Sequence, residues 1–277
     1  HSSWIKNLQL SAEAQDGRVS VGLEGTEVGL FSLAQALSIL PADWQMEGVD
    51  SLFMKGMLKE DGQWRLDSQW NCDGLTFQSP DMEQAGEKIA LQVRIAATED
   101  LSQSGLTASV HALADQGGFL YDRVYLDLNT NSLQVQAQGD YDFSKRTADL
   151  SGFKLVLKDL LSLEAEGTVA DPTFRSPCHL LVRLPQMPLK PLFEFFFKDP
   201  LKQELPFLAE LTLGGDFLAE IDFQKAPEGW RLLGHCSWHD GEILGKGFKI
   251  QGIEFDLPFW GETFRASAES AFRRPSA

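Results

Sequence analysis

Residues 132–169 read SLQVQAQGDYDFSKRTADLSGFKLVLKDLLSLEAEGTV, and their period decides the fold. Leu133, Val135 and Ala137 alternate with Gln134, Gln136 and Gln138. A period of two puts apolar side chains on one face of a strand and amides on the other. Leu161, Leu163 and Ala165 obey the same rule against Ser162, Glu164 and Glu166. The polar run from Asp142 to Arg146 is far shorter than a parallel crossover, which takes a dozen or more residues. The neighbours it joins must therefore run antiparallel.

The alternation extends outward in both directions. Ile89, Leu91, Val93 and Ile95 alternate with Lys88, Ala90, Gln92 and Arg94. Phe217, Ala219, Ile221 and Phe223 alternate with Asp216, Glu220 and Asp222, and Ile253, Phe255, Leu257 and Phe259 with Glu254 and Asp256. Asn129-Thr130-Asn131, Asp115 to Gly118, and Gly214-Gly215 read as turns between such runs. The expected fold is mainly β, a long antiparallel meander forming one continuous body over residues 1–277.

Two stretches break the pattern. In residues 30–40, Leu30, Leu33, Ala34, Leu37 and Leu40 recur at helical spacing and Pro41 ends the run. Leu189 to Leu208 is apolar and is cut into short helices by Pro191, Pro200 and Pro206. Its Phe193, Phe195, Phe196 and Phe197 cannot all share one helical face. Helix is too scarce to cover so long a sheet, so the shared apolar face is expected to form a groove. A closed β-sandwich or solenoid scaffold that binds proteins or glycans is the rival reading.

One pattern occurs twice. Residues 61–74 read DGQWRLDSQWNCDG and residues 227–241 read PEGWRLLGHCSWHDG. Each carries Trp-Arg-Leu (Trp64 to Leu66, Trp230 to Leu232), a strand-like run and an Asp-Gly expected to close it as a turn. Each also follows an apolar helical stretch and a strand. The reading is an internal duplication spanning 30–75 and 189–241. Trp64 and Trp230 are expected to anchor core packing, and Trp4, Trp70 and Trp238 to sit at a rim.

Composition excludes several function classes. Of 277 residues, 43% are hydrophobic, which is too apolar for a disordered chain. A formal charge of −16 argues against nucleic-acid binding, which needs clustered cations to displace phosphate counterions. The longest apolar runs, such as Phe195 to Phe197, are interrupted by Glu194, Lys198 and Asp199 and fall far short of a membrane span of about 18 residues. The start at His1 without methionine reads as an excised or processed segment, so that any anchor lies outside it. Cys72, Cys178 and Cys236 form no paired framework and read as free thiols packed as small hydrophobes.

No catalytic or cofactor pattern emerges. GxSxG, HExxH and phosphate-loop spacings are absent, and Gly245-Lys246-Gly247 lacks the remainder of either glycine-rich loop. His235 and His239 would share a strand face while Cys236 points away, so too few ligands converge for a metal. Asp127 to Asn131 starts like a calcium loop but has Ser132 and Gln138 where that loop needs glycine and glutamate. The chain is expected not to be an enzyme and to need no cofactor.

Residues 132–169 resemble a recurring unit of the AsmA-like superfamily of Gram-negative envelope proteins. The shared pattern is a strand ending in Gly139-Asp140-Tyr141-Asp142, a short turn, a strand of alternating leucines, and a last strand closing on Gly167-Thr168-Val169. The two Trp-Arg-Leu units, and above all WHDGEILGKGFKIQGIEFDLP at 238–258, are similar to the YdbH branch. At strand level the similarity runs over most of residues 40–260, with few fixed residues. It implies a periplasmic, bridge-like β-groove that shields phospholipid acyl chains between inner and outer membranes. It also implies an inner-membrane anchor, which would lie outside this chain, and partner proteins in the two membranes. The groove lining would come from Ile89, Leu91, Val93, Ile95, Leu133, Val135, Leu161, Leu163, Phe217, Ile221, Phe223 and Phe255.

Overall fold

In the computed structural model, residues 7–15, 17–27, 43–100, 105–170, 177–226 and 229–264 are described. The expected helix at 30–40 and Trp4 lie outside them. The strands are β1 (Asn7–Gln15), β2 (Arg18–Thr26), β3 (Gln45–Lys59), β4 (Trp64–Gln78), β5 (Gln84–Asp100), β6 (Gly105–Tyr121) and β7 (Val124–Asp127). They continue as β8 (Leu133–Asp142), β9 (Thr147–Leu157), β10 (Leu161–Val169), β11 (Cys178–Pro188), β12 (Thr212–Ala226), β13 (Gly229–Gly245) and β14 (Phe248–Phe264). All belong to one antiparallel sheet in which neighbours in sequence are neighbours in space; only β7 leaves the path, as a flap on β6. The sheet does not close into a barrel, and among the described residues β1 and β14 are its edges. The meander is thus present as the alternation predicts.

Several strands are longer than expected, because four glycine-bearing sites that read as turns are bulges inside strands. Asp73-Gly74 lies within β4, Gly117-Gly118 within β6 and Gly214-Gly215 within β12. Asp240-Gly241, the end of the second repeated motif, lies within β13. Register shifts occur between Cys72 and Leu75, between Gly214 and Asp216, and between Trp238 and Gly241. Gly74, Gly117, Gly215 and Asp240 all have positive φ, which lets the strand carry an extra residue and continue. Glycine inside a strand marks a bulge as readily as a turn, and local sequence does not separate the two.

Between β11 and β12 lies α1 (Leu189–Phe193), which runs through a π-helical turn (Glu194–Lys198) into α2 (Asp199–Leu201), followed by a 3₁₀ turn (Pro206–Glu210). The four phenylalanines divide as the spacing requires. Phe193 is buried, Phe195 and Phe196 are half-buried, and Phe197 is exposed. An ion pair from Glu204 to Arg123, in the turn after β6, ties this segment to the β6–β7 flap.

The packed core sits at one end of the sheet. Cys72, Leu75, Ile89, Ala114, Leu126, Leu128 and Leu157 form it, and Phe195 and Phe196 pack against it. Leu128 is 2% exposed and Cys72 fully buried. Among the described residues, helix, flap and sheet enclose the core there.

Candidate functional site

Directly opposed residues in an antiparallel pair share a face, so the register can be followed from edge to edge. One transverse row runs Leu10, Leu23, Met54, Ser68, Ile95, Val110, Ala137, then Phe153, Ala165, Val182, Ile221, Gly234 and Phe259. It takes one residue from each strand of the path, and Ser68 is its single polar member. The next row on this face runs Ala12, Val21, Gly56, Leu66, Ala97, Ala108, Gly139, then Leu150, Gly167, Leu180, Phe223, Leu232 and Gly261, with no polar member. Period-two alternation in each strand, combined with in-phase register, makes two apolar lines, the first interrupted at Ser68.

These lines are not sealed. No member of the first row is buried, and Ala97 alone is buried in the second. Ile95 is 40% exposed. A sandwich interior would bury such positions almost completely.

All twelve expected lining residues fall on this face, in two groups. Ile89 is part of the end core, and Leu91, Leu133 and Leu161 pack against it. Phe217 and Phe255 flank Trp238 in the register. Val93, Ile95, Val135, Leu163, Ile221 and Phe223 lie farther from the core, and none of them is buried. Trp238 is buried, its Nε1–H donating to the Gly214 carbonyl at 2.8 Å, and Trp70 packs against the core, so neither is a rim residue. Trp230, expected in the core, is 37% exposed. It stands on an outer row at the end of the sheet away from the packed core.

The opposite face is polar. Its central row runs Gln9, Glu24, Phe53, Gln69, Arg94, His111, Gln136, then Lys154, Glu164, Arg183, Glu220, His235 and Pro258. Lys154 Nζ meets Glu164 at 2.9 Å, and Arg183 bridges Glu220 and Glu166 at 2.9 Å each. Glu220 and then Glu166 raise the Arg183 pKa by hydrogen bonding to its charged form. His239 Nδ1 lies 2.9 Å from Glu254, whose pKa is lowered first by the Asp240 backbone N–H and then by His239. No group of three or more metal-ligating side chains exists among the described residues. A cavity of about 770 Å³ opens on this polar face, bounded at its ends by Phe53 of β3 and Arg183 of β11. The sequence reading placed no site there.

The three cysteines are free, Cys72 and Cys178 being buried. Burial pushes the Cys72 thiol up to about 11, with Asp50 and Asp73 adding to the shift. It therefore stays protonated and behaves as a small hydrophobe. Asp127 makes an Asx turn: its carboxylate accepts from the Asn129 N–H at 3.1 Å, the Asn129 amide at 2.7 Å and the Thr130 hydroxyl at 3.0 Å. No helix among the described residues is long and apolar enough to cross a membrane. Comparison with protein-family models, curated proteins and solved structures gave no match.

Proposed function

We propose that this chain is a periplasmic segment of an AsmA-like, bridge-type protein and that its apolar sheet face shields phospholipid acyl chains in transit between inner and outer membranes. The observation that carries this reading is the pair of apolar rows that cross every strand of the path and stay half-open. At the usual strand spacing, a row of thirteen strands is about 58 Å long along its contour. Each Å² of hydrocarbon removed from water contributes roughly 25 cal/mol, without demanding any particular side chain. That matches a surface rich in Val, Ile, Leu, Ala and Gly with no converging polar groups. The opposite face, with its ion pairs and amides, keeps the assembly soluble while the apolar face is occupied.

The test is photo-crosslinking in bacteria that export the chain to the periplasm. A photoreactive residue at Val135 or Ile221 should yield phospholipid adducts. One at Gln136, on the polar face, or at Leu91, packed on the end core, should yield few. Absence of adducts at both Val135 and Ile221, or equal labelling at Gln136, would end the lipid-shielding reading.

A further inference from the structure

The cavity on the polar face is not used by the proposed lipid path, and its chemistry is of a different kind. Its volume, about 770 Å³, falls within the range of ligand clefts, about 300–1,000 Å³. Its lining mixes apolar groups with amides, hydroxyls and charges, the few placed polar groups that give such a cleft its specificity. Along its floor Arg94 is flanked in the register by Gln69 and His111, and Gln136 follows His111. Toward β11 the charges are already matched, by the Lys154–Glu164 pair and by Arg183 between Glu166 and Glu220. Arg94 differs. It makes no ion pair among the described residues: its partners in the register, Gln69 and His111, carry no carboxylate, and Asp67, one row away in the same cavity, is engaged by Arg65 at 2.8 Å. Phe53, 47% exposed, supplies the aromatic surface at the other end.

From this arrangement we infer a second binding site, for a short oligosaccharide that carries a carboxylate. A free guanidinium offers a carboxylate a bidentate fork, which neither an amide nor a lysine reproduces. Amides and hydroxyls spread over adjacent strands each offer both donors and acceptors, the complement of a run of sugar hydroxyls. Phe53 provides a flat apolar face for a sugar ring. A polypeptide fits less well. Strand addition needs a free sheet edge, but this floor is the interior of the sheet, where the ladder already uses the backbone groups. In a chain of net charge −16, an anion is repelled at long range, so binding depends on the local cation and on contacts along the rest of the ligand.

The experiment is calorimetric titration of the full chain with tetragalacturonate, with a neutral galactose tetramer, tetraglutamate and inorganic phosphate as comparators. Tetragalacturonate should bind, and the three comparators should bind at least tenfold more weakly. Arg94→Gln should weaken tetragalacturonate at least tenfold, and Gln136→Ala by a smaller factor. Both residues are exposed on a solvated face, and unchanged circular dichroism would establish that the variants fold. No binding of tetragalacturonate, or binding unaltered by Arg94→Gln, overturns the inference. Equal binding of phosphate would reduce the site to a simple anion site, and equal binding of tetraglutamate would make it a peptide site; either result also overturns it. Because the apolar face takes no part, lipid adducts at Val135 and Ile221 should persist in Arg94→Gln, which separates failure here from failure of the lipid reading.

Discussion

Trp64 and Trp230, 166 residues apart in sequence, stand in one transverse row of the sheet and on one face. The register links them through Glu99, Leu106, Tyr141, Ala148, Val169, Cys178 and Lys225. The residues eight positions on, Cys72 and Trp238, are both buried, and each precedes a bulge. The repeated motif is therefore a strand of set length between an outer tryptophan and a bulge. Its two copies occupy the same level on β4 and β13.

Equal placement does not mean equal energetics. Trp64 is half-buried and donates its indole N–H to Glu99, while Trp230 is 37% exposed. Trp64→Ala should cost about 2–3 kcal/mol, less than a sealed-core tryptophan, and Trp230→Ala about 1 kcal/mol. Urea midpoints at an unchanged slope would measure both. Equal losses would show that the two environments are energetically alike despite their different exposure.

The bulge glycines offer a sharper contrast. Gly215 has φ +90°, and a Cβ there would stand 2.5 Å from the His239 carbonyl oxygen. Gly252 has φ +69° with nothing within 4 Å of the same added atom. Gly252→Ala should cost about 1 kcal/mol, the conformational penalty alone. Gly215→Ala adds a collision with backbone inside the β12–β13 ladder and should cost about 2–3 kcal/mol. Thermal unfolding of the two variants ranks them, and a milder Gly215→Ala would contradict the tight approach at that bulge.

Period two in each strand and short polar links make the antiparallel meander legible in the sequence. The alternation that puts residues such as Ile95, Val135 and Ile221 on one face was legible too. Register was not. That Ile221 lies level with Ile95, across five intervening strands, depends on irregularities such as the register shifts between Gln138 and Gly139 and between Leu184 and Met187, which carry no signal in one sequence. The end core was equally hidden. Leu126 and Leu128 flank the Asp127 turn and look like ordinary loop residues until β7 folds back on β6. The polar cavity left no sequence signal, because Arg94 and His111 are 17 residues apart and meet only through strand pairing.

Acid should destabilise the protein through its turns. The Asp142 carboxylate accepts from the Ser144 hydroxyl at 2.6 Å and is further held by Lys145, which keeps its pKa well below the usual carboxylate range. Asn129 and then Thr130 lower Asp127 in the same way. A depressed folded-state pKa contributes stability above the unfolded value, about 3.9 for aspartate, and that contribution is lost as pH falls through and below it. The melting temperature should therefore hold from pH 7 to about pH 5 and drop below about pH 4. In the double variant Asp127→Asn, Asp142→Asn, the drop should be shallower. An acid profile identical to that of the parent would assign the loss to other carboxylates.

The contrast between the enclosed end and the half-open rows yields the most direct stability test. Leu128 is 2% exposed within the end core, whereas Ile221 is half-buried in a row that has no buried member. A carboxylate at position 128 would lose its water and find no cation, which costs several kcal/mol. At position 221 the same carboxylate keeps part of its hydration. Leu128→Asp should therefore lose more than about 3 kcal/mol or fail to fold, and Ile221→Asp only about 1–2 kcal/mol. Leu128→Ala and Ile221→Ala, measured in the same urea titrations, subtract the lost methyl groups and leave the penalty of the charge. A charge penalty at Ile221 as large as that at Leu128 would mean that the row is sealed, and a sealed row has no room for an acyl chain.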